Sequence, residues 1–171
     1  MLFDFILIFA IIFLLFLLSM IWPPDSPWAP WWRTSKKVAR AQCKLANVKK
    51  GDLIYDLGSG DGTALMIAAK EFGARGIGIE IDLFRYLVSR IFLKVSGASS
   101  SIKILRKNFF SQSIKDADVV FVYLVPKALD RLLPKFKKEL KKGTRIVSYR
   151  YEIKLPLGSY DKKNQIRLYI I

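Results

Sequence analysis

The sequence predicts a doubly wound α/β domain preceded by one N-terminal transmembrane helix. A long apolar run opens the chain, strand-like and helix-like segments alternate after it, and a glycine-rich turn (residues 58–62) follows the first strand-like segment. The 171 residues are about the length of one domain. We therefore expect an anchor over residues 1–22, a linker over 23–34 and a folded domain over 35–171.

The composition excludes several kinds of chemistry. Histidine is absent and Cys43 is the only cysteine, so an internal disulfide, a Ser-His-Asp triad and a Cys/His zinc site are all excluded. We expect no bound metal. The 29 Lys and Arg residues all follow position 32, together with 12 of the 14 Asp and Glu residues, which gives residues 33–171 a formal net charge of +17.

The apolar run is long enough for a membrane span. Residues 2–22 are interrupted only by Asp4 and Ser19, and a helix of that length rises about 30 Å, the thickness of the hydrocarbon layer. A secretory signal peptide would carry a basic start and a small-residue cleavage site, and neither is present. A buried core helix is the remaining alternative to a single-pass membrane anchor.

The residues after this run indicate how the protein meets the membrane. Residues 22–32 contain all four tryptophans and four prolines, as expected of an interfacial linker, although packing of the indoles against the domain is an alternative. Four basic residues follow within 33–40. The positive-inside rule then predicts a cytoplasmic domain. We expect anionic lipid headgroups as its first partner and nucleic acid as the second choice.

Strands and helices alternate through the first half of the domain. Thr34 or Ser35 can cap the first helix, Gly73 closes the second, and Asp82 caps the third. The predicted helices cover 36–46, 63–72 and 83–95, and the predicted strands cover 52–57, 75–81 and 102–106.

The second half of the domain continues the alternation. Residues 118–124 are almost continuously apolar, which is typical of a central parallel strand that is buried on both faces. Pro126 suits the first turn of a helix that extends to residue 142. Two further strands are predicted over 144–149 and 165–171.

The strongest chemical signal is the segment DLGSGDG over residues 56–62, between a strand and a helix. Its glycines allow a sharp turn and a close approach to a ligand. An acid 18 residues beyond the last glycine, Glu80, ends the next strand and can accept hydrogen bonds from a ribose. The candidate cofactor-binding residues here are Asp56, Gly58, Ser59, Gly60, Asp61, Gly62, Glu80 and Ile81.

The spacing and the charges of this segment favour one nucleoside cofactor. The glycines follow G-x-G-x-G rather than the dinucleotide pattern G-x-G-x-x-G, and Asp56 and Asp61 would repel a pyrophosphate. The same carboxylates are favourable beside the ammonium and sulfonium groups of S-adenosylmethionine. No nucleotide-hydrolysing G-x-x-x-x-G-K-[ST] motif is present.

With these motifs, residues 35–171 resemble the Rossmann-like class I S-adenosylmethionine-dependent methyltransferases. The segments 56–62 and 78–80 are similar to the first and second motifs of that family. The resemblance implies that the glycines pass under the methionine part of the cofactor, that Asp56 holds its amino group and that Glu80 holds the ribose. It also implies that Asn108 meets the adenine amino group and that Phe109 covers the ring, although an ordinary loop is the alternative for these two residues.

A closer resemblance is to the small membrane-anchored protein-lysine methyltransferases that modify the ATP synthase c-subunit and the adenine nucleotide translocase. Those proteins share the apolar N-terminal segment and an apolar-Val-Pro ending of the fourth strand, here Leu124, Val125 and Pro126. The resemblance implies a lysine acceptor on a membrane or membrane-proximal protein. The chain departs from the pattern at Tyr123 and in its Trp/Pro-rich linker.

The end of the fourth strand also bears on the acceptor. It lacks the [DN]-P-P-[YF] sequence that holds a planar amino group, which disfavours a nucleic-acid base. We expect Val125 and Pro126 to line an apolar substrate channel, and Tyr123 to orient the amine as a candidate catalytic residue unless it is a core residue. The alternatives are a methyltransferase for RNA, DNA, a lipid or a quinone, and a non-catalytic membrane-tethered module that binds the cofactor.

Overall fold

A computed structural model of the chain describes residues 2–21 and 32–171, and within the first helix it describes the side chains of residues 3–15. That helix, α1, is Leu2–Ile21. The predicted membrane span over residues 1–22 is not supported, because no helix in the described parts of the chain is long and apolar enough to cross a membrane. The linker predicted over 23–34 lies outside the described residues except for 32–34.

The rest of the chain forms the predicted doubly wound α/β domain. Its helices are α2 (Lys36–Leu45), α3 (Thr63–Phe72), α4 (Leu83–Ser96) and α5 (Pro126–Glu139). Its strands are β1 (Leu53–Leu57), β2 (Arg75–Glu80), β3 (Ile102–Arg106), β4 (Val119–Val122), β5 (Arg145–Tyr149), β6 (Leu157–Asp161) and β7 (Ile166–Ile170). They form one sheet in the order β3-β2-β1-β4-β5-β7-β6. β1 to β5 are parallel, and β7 is antiparallel to both of its neighbours.

Alternate residues of the central strands supply two separate cores. Ile54 of β1 belongs to the core that includes Cys43 of α2 and Leu65 of α3. Its neighbour Tyr55 belongs to the core that includes Phe136 of α5. Because successive side chains of a strand point to opposite faces, the helices cover both faces of the sheet.

Helix caps follow the sequence signals closely. Ser35, one of the two residues predicted to cap α2, accepts a hydrogen bond through its side chain from the N–H of Val38 at 3.3 Å. Asp82 caps α4 through Oδ1, which accepts from the N–H of Arg85 at 2.8 Å. At its other end, α5 stops at Glu139 rather than at residue 142, because Leu140 is already extended.

Strand β6 is the one described element that the sequence pattern misses. None of its residues is buried, so it lacks the alternation of apolar and polar residues that identifies a half-buried strand. It pairs only with β7, at the edge of the sheet.

The strand order also determines where a ligand can bind. β1 lies between β2 on one side and β4 on the other, and the chain leaves β1 and β4 to form helices on opposite faces. A crevice therefore opens at the carboxyl ends of these two strands, which is where ligands bind in open α/β sheets.

Candidate active site

A cavity occupies this crevice and brings together most of the residues predicted from the sequence. Its lining combines the end of β1, the glycine-rich turn, the end of β2, the loop after β3 and the end of β4. The predicted residues that line it are Asp56, Gly58, Ser59, Gly60, Asp61, Glu80, Ile81, Phe109 and Tyr123.

Four predicted site residues lie outside this lining. Gly62 caps α3 with a left-handed φ of +78°. Asn108 is exposed, and its Oδ1 accepts a hydrogen bond from the N–H of Phe110 at 2.9 Å. Val125 and Pro126 are the N-cap and the first residue of α5. The ligand contacts assigned to these four residues stay predictions.

The glycine-rich turn is packed directly against β2. The N–H groups of Gly58 and Ser59 both donate to the carbonyl oxygen of Ile79, at 2.9 and 3.1 Å. A Cβ atom at Gly78 of β2 would lie 2.6 Å from Ser59 Oγ, so a larger residue there would push the turn away. Gly58 has a φ of +83°, which favours glycine.

Glu80 is held by the backbone on both sides. Its Oε2 accepts from the N–H of Gly60 at 2.9 Å and its Oε1 from the N–H of Asp82 at 3.0 Å. Burial raises the pKa of Glu80, and the two backbone hydrogen bonds partly offset this increase. Each carboxylate oxygen can still accept another hydrogen bond, so the side chain is oriented and can receive ribose hydroxyls.

Two more carboxylates give the cavity its charge. Asp61 Oδ2 accepts from Arg33 Nε at 2.7 Å, and Oδ1 accepts from the N–H of Thr63 at 3.0 Å. Asp56 is buried, and the pKa of its carboxyl is raised to about 7, first by burial and then by the charges of Glu80 and Asp61. A cation placed beside Asp56 would stabilise the ionised carboxylate and lower its pKa.

The residues present fit S-adenosylmethionine. Two buried polar atoms of the lining, Ser59 Oγ and Gln42 Oε1, have no hydrogen-bond partner within the described residues, and buried groups of this kind normally have one. Asp56 would attract the ammonium group of the cofactor and Glu80 would accept from its ribose. When bound, the cofactor supplies an electrophilic methyl group, and the chain orients it.

Sequence reasoning missed several lining residues. Arg33 and Trp32 reach the cavity from the segment before α2, and Gln42 reaches it from α2. Gln42 could have been identified from the sequence, because it is a polar residue next to Cys43 on the apolar face of an amphipathic helix. Arg85 of α4 also lines the cavity and is buried. Burial lowers the pKa of its guanidinium, and the negative charge of Glu80 partly offsets this decrease.

Similarity to known proteins identifies the chemistry. The profile of the ANTKMT methyltransferase domain matches residues 56–155, from the first carboxylate of the cavity to the loop beyond β5. The chain belongs to this methyltransferase family. The resemblance to class I S-adenosylmethionine-dependent methyltransferases is confirmed, and this methyltransferase uses S-adenosylmethionine as its cofactor.

Three relatives show how far the similarity extends. A protein-lysine N-methyltransferase of Saccharolobus islandicus is 37% identical over 79% of this methyltransferase and 83% of its own length. The mouse adenine nucleotide translocase lysine N-methyltransferase is 35% identical over 58% of this methyltransferase. The matched region covers only 44% of the mouse protein. An RNA methyltransferase from Salinibacter ruber, crystallised with S-adenosyl-L-homocysteine, is 32% identical in sequence to this methyltransferase. The two structures superpose with a TM-score of 0.79 over 82% of this chain and 94% of the S. ruber chain.

Proposed function

We propose that this methyltransferase transfers the methyl group of S-adenosylmethionine to the side-chain nitrogen of a protein lysine. The observation that carries the proposal is the apolar and aromatic wall at the end of β4, formed by Phe121, Val122, Tyr123 and Leu124. All but Tyr123 are buried, and this wall lacks the polar pair that would hold a planar base. The S. islandicus relative, named a protein-lysine N-methyltransferase, supports the same acceptor.

The wall suits the chemistry of a lysine acceptor. A lysine ammonium must lose a proton before its nitrogen can attack the methyl group, and an apolar environment lowers the pKa of the amine. The nitrogen lone pair then forms the new N–C bond while the S–C bond of the cofactor breaks. Positioning the two groups in line supplies much of the rate without an obligatory protein base.

The experiment is to find which class of molecule receives the label. The full chain is incubated with S-adenosylmethionine carrying a labelled methyl group and with separate membrane and soluble cell fractions. We expect label in protein, released as methyllysine on hydrolysis, and much slower transfer by Glu80→Ala at a cofactor concentration below its Kd. Label in RNA, which the name of the S. ruber relative and the basic charge of the domain make the second candidate, would overturn the lysine acceptor, as would label in lipid.

We also propose that α1 attaches the enzyme to a membrane and that its acceptor is a membrane or membrane-proximal protein. Every described side chain of α1, over residues 3–15, is exposed, and all but Asp4 are apolar. A continuous exposed apolar surface is typical of an interaction site. The +17 charge of residues 33–171 favours anionic headgroups beside the apolar helix, and the basic residues within 33–40 favour a cytoplasmic domain.

Vesicle flotation and a reporter fusion test this attachment. The full chain should float with vesicles that contain anionic lipid, and a chain that lacks residues 1–22 should not. The shortened chain should methylate a membrane target much more slowly, yet methylate a soluble peptide with the same lysine at an unchanged rate. A reporter fused after Ile171 should be active on the cytoplasmic side, and activity only on the other side would contradict the proposed orientation.

A further inference from the structure

Four aromatic residues and one cation meet beside the cavity. Tyr123 follows β4, and its ring centroid lies 4.5 Å from that of Tyr149 and 6.4 Å from that of Tyr151. Arg150 Cζ lies 5.4 Å from the Tyr149 centroid and 5.8 Å from the centroids of Tyr123 and Trp32. We call Trp32, Tyr123, Tyr149 and Tyr151 the aromatic cluster. The rings of Trp32, Tyr123 and Tyr149 lie at cation–π distances from the Arg150 guanidinium group, and the Tyr151 ring packs against that of Tyr123.

The backbone at Arg150 has an uncommon conformation. Its φ of +68° is left-handed, which is rare for a residue with a side chain. The N–H of Arg150 donates to the carbonyl of Gln165 at 2.8 Å, and Arg167 Nη1 donates to the carbonyl of Arg150 at 2.7 Å. Such backbone conformations persist only where the surroundings impose them, and they often occur at functional sites.

The aromatic cluster adjoins the methyl-donor site. Tyr123 and Trp32 line the same cavity as Asp56 and Glu80. The carboxylates lie at the ends of β1 and β2, whereas Tyr123 follows β4, Tyr149 ends β5 and Tyr151 follows it. The cavity therefore has an acidic side for the cofactor and an aromatic side at the opposite strands, where an acceptor would enter.

We infer that the aromatic cluster is the subsite for the acceptor ammonium group, and that the Arg150 guanidinium fills it until a lysine side chain takes its place. This inference rests on the proposed lysine acceptor. Ammonium, methylated ammonium and guanidinium groups all bind the faces of aromatic rings. Two cations repel each other at such distances, so the lysine must displace Arg150. Arg150 is exposed and has a long, flexible side chain, so it can move into solvent.

Displacement predicts that removing Arg150 makes cation binding tighter. Tetramethylammonium serves as the probe, titrated calorimetrically into the full chain saturated with S-adenosyl-L-homocysteine. The variant is Arg150→Gly, because glycine accepts the left-handed φ and preserves the turn. We expect Arg150→Gly to bind tetramethylammonium about tenfold more tightly than the wild-type protein, and the added change Tyr149→Leu to abolish that gain.

Arg90→Ala is the matched control. Arg90 Cζ lies 5.7 Å from the Tyr86 ring centroid on α4, and neither residue lines the cavity. This variant should bind tetramethylammonium as the wild-type protein does. The inference is wrong if Arg150→Gly binds no more tightly than the wild-type protein, or if its gain survives the loss of Tyr149.

Methyl transfer by the wild-type protein separates this inference from the proposed function. Label in RNA or lipid together with tighter tetramethylammonium binding by Arg150→Gly would overturn the lysine acceptor and leave a cation subsite. Label in protein lysine without that gain would overturn the subsite alone. With a lysine substrate, Arg150→Gly should lower KM and leave kcat within about twofold, since it removes a competitor for substrate binding.

Discussion

Arg33 and Asp61 connect the segment before α2 to the glycine-rich turn, with Nε and Nη2 of the arginine each 2.7 Å from Oδ2 of the carboxylate. The other carboxylate oxygen accepts from the N–H of Thr63. One buried side chain therefore pairs with an exposed cation and also accepts a hydrogen bond from the first N–H group of α3. These two roles can be separated by substitution.

Asp61→Ala should be less stable than Asp61→Asn by about 1 kcal/mol, measured by urea denaturation without cofactor. Both changes remove the ion pair, but asparagine keeps an oxygen that can accept from Thr63, and the loss of one hydrogen bond costs about 0.5–1.5 kcal/mol. The ion pair itself should contribute little, because the Arg33 side chain is 60% exposed. Equal losses in the two variants would show that the hydrogen bond from Thr63 does not contribute to stability.

Glu80→Ala should weaken the binding of S-adenosylmethionine by about 1–3 kcal/mol, measured by calorimetry, through the loss of charge-assisted hydrogen bonds. Glu80→Gln should lose less, since one oxygen remains. Glu71→Ala is the matched control, because Glu71 pairs with Arg40 on the surface and lies outside the cavity lining. Tighter binding of NAD than of S-adenosylmethionine by the wild-type protein would contradict the cofactor assignment, and an equal affinity of Glu80→Ala and Glu71→Ala would contradict the role of Glu80.

The affinity for S-adenosylmethionine should increase as pH rises through 7. Asp56 has a pKa of about 7, so below that pH its carboxyl is protonated and does not attract the cofactor's ammonium group. Binding at pH 6 should be up to about tenfold weaker than at pH 7.5. Above pH 8 the amino group of the cofactor itself loses its proton. Asp56→Asn should remove the increase, and an unchanged pH profile in that variant would exclude Asp56 as the cause.

The stability of the cofactor-free protein should change with pH in the opposite direction. The usual pKa of 3.8 applies to Asp56 in the unfolded chain, whereas the folded value is about 7. Between these values the folded protein binds more protons than the unfolded chain, so stability falls as pH rises. Urea denaturation at pH 5 and pH 7.5 should show this loss in the wild-type protein and a smaller loss in Asp56→Asn.

Cys43 should not react with thiol reagents in the folded protein. It is fully buried, and burial is the main cause that raises the pKa of its thiol to about 12. Reactivity requires the thiolate and access to solvent. Ellman's reagent should therefore label the single cysteine only after denaturation, and rapid labelling of the native protein would show that α2 opens readily.

The sequence was sufficient to predict the site residues that lie close together along the chain. The turn over 58–62 and Glu80 could be assigned because one βαβ unit brings them together, and Gly60 does contact Glu80. Residues that reach the cavity from elsewhere could not be assigned in this way. Trp32 and Gln42 come from the segment before β1, and the backbone position of Arg150 depends on hydrogen bonds with Gln165 and Arg167.

The edge of the sheet was harder to predict for a different reason. β6 has no buried residue, so burial does not shape its sequence. It is defined by backbone pairing with β7, including an irregular register between Leu157 and Ser159. By contrast, β4 is buried throughout, and its apolar run could be recognised directly.

The connection between α1 and the cavity is short. α1 ends at Ile21, and Trp32 already lines the cavity. Whatever path residues 22–31 follow, a chain of this length spans at most about 40 Å at about 3.3–3.6 Å per residue. If α1 lies in a bilayer, as proposed above, the cavity can reach only acceptor lysines within that distance of the membrane surface, whatever sequence surrounds them.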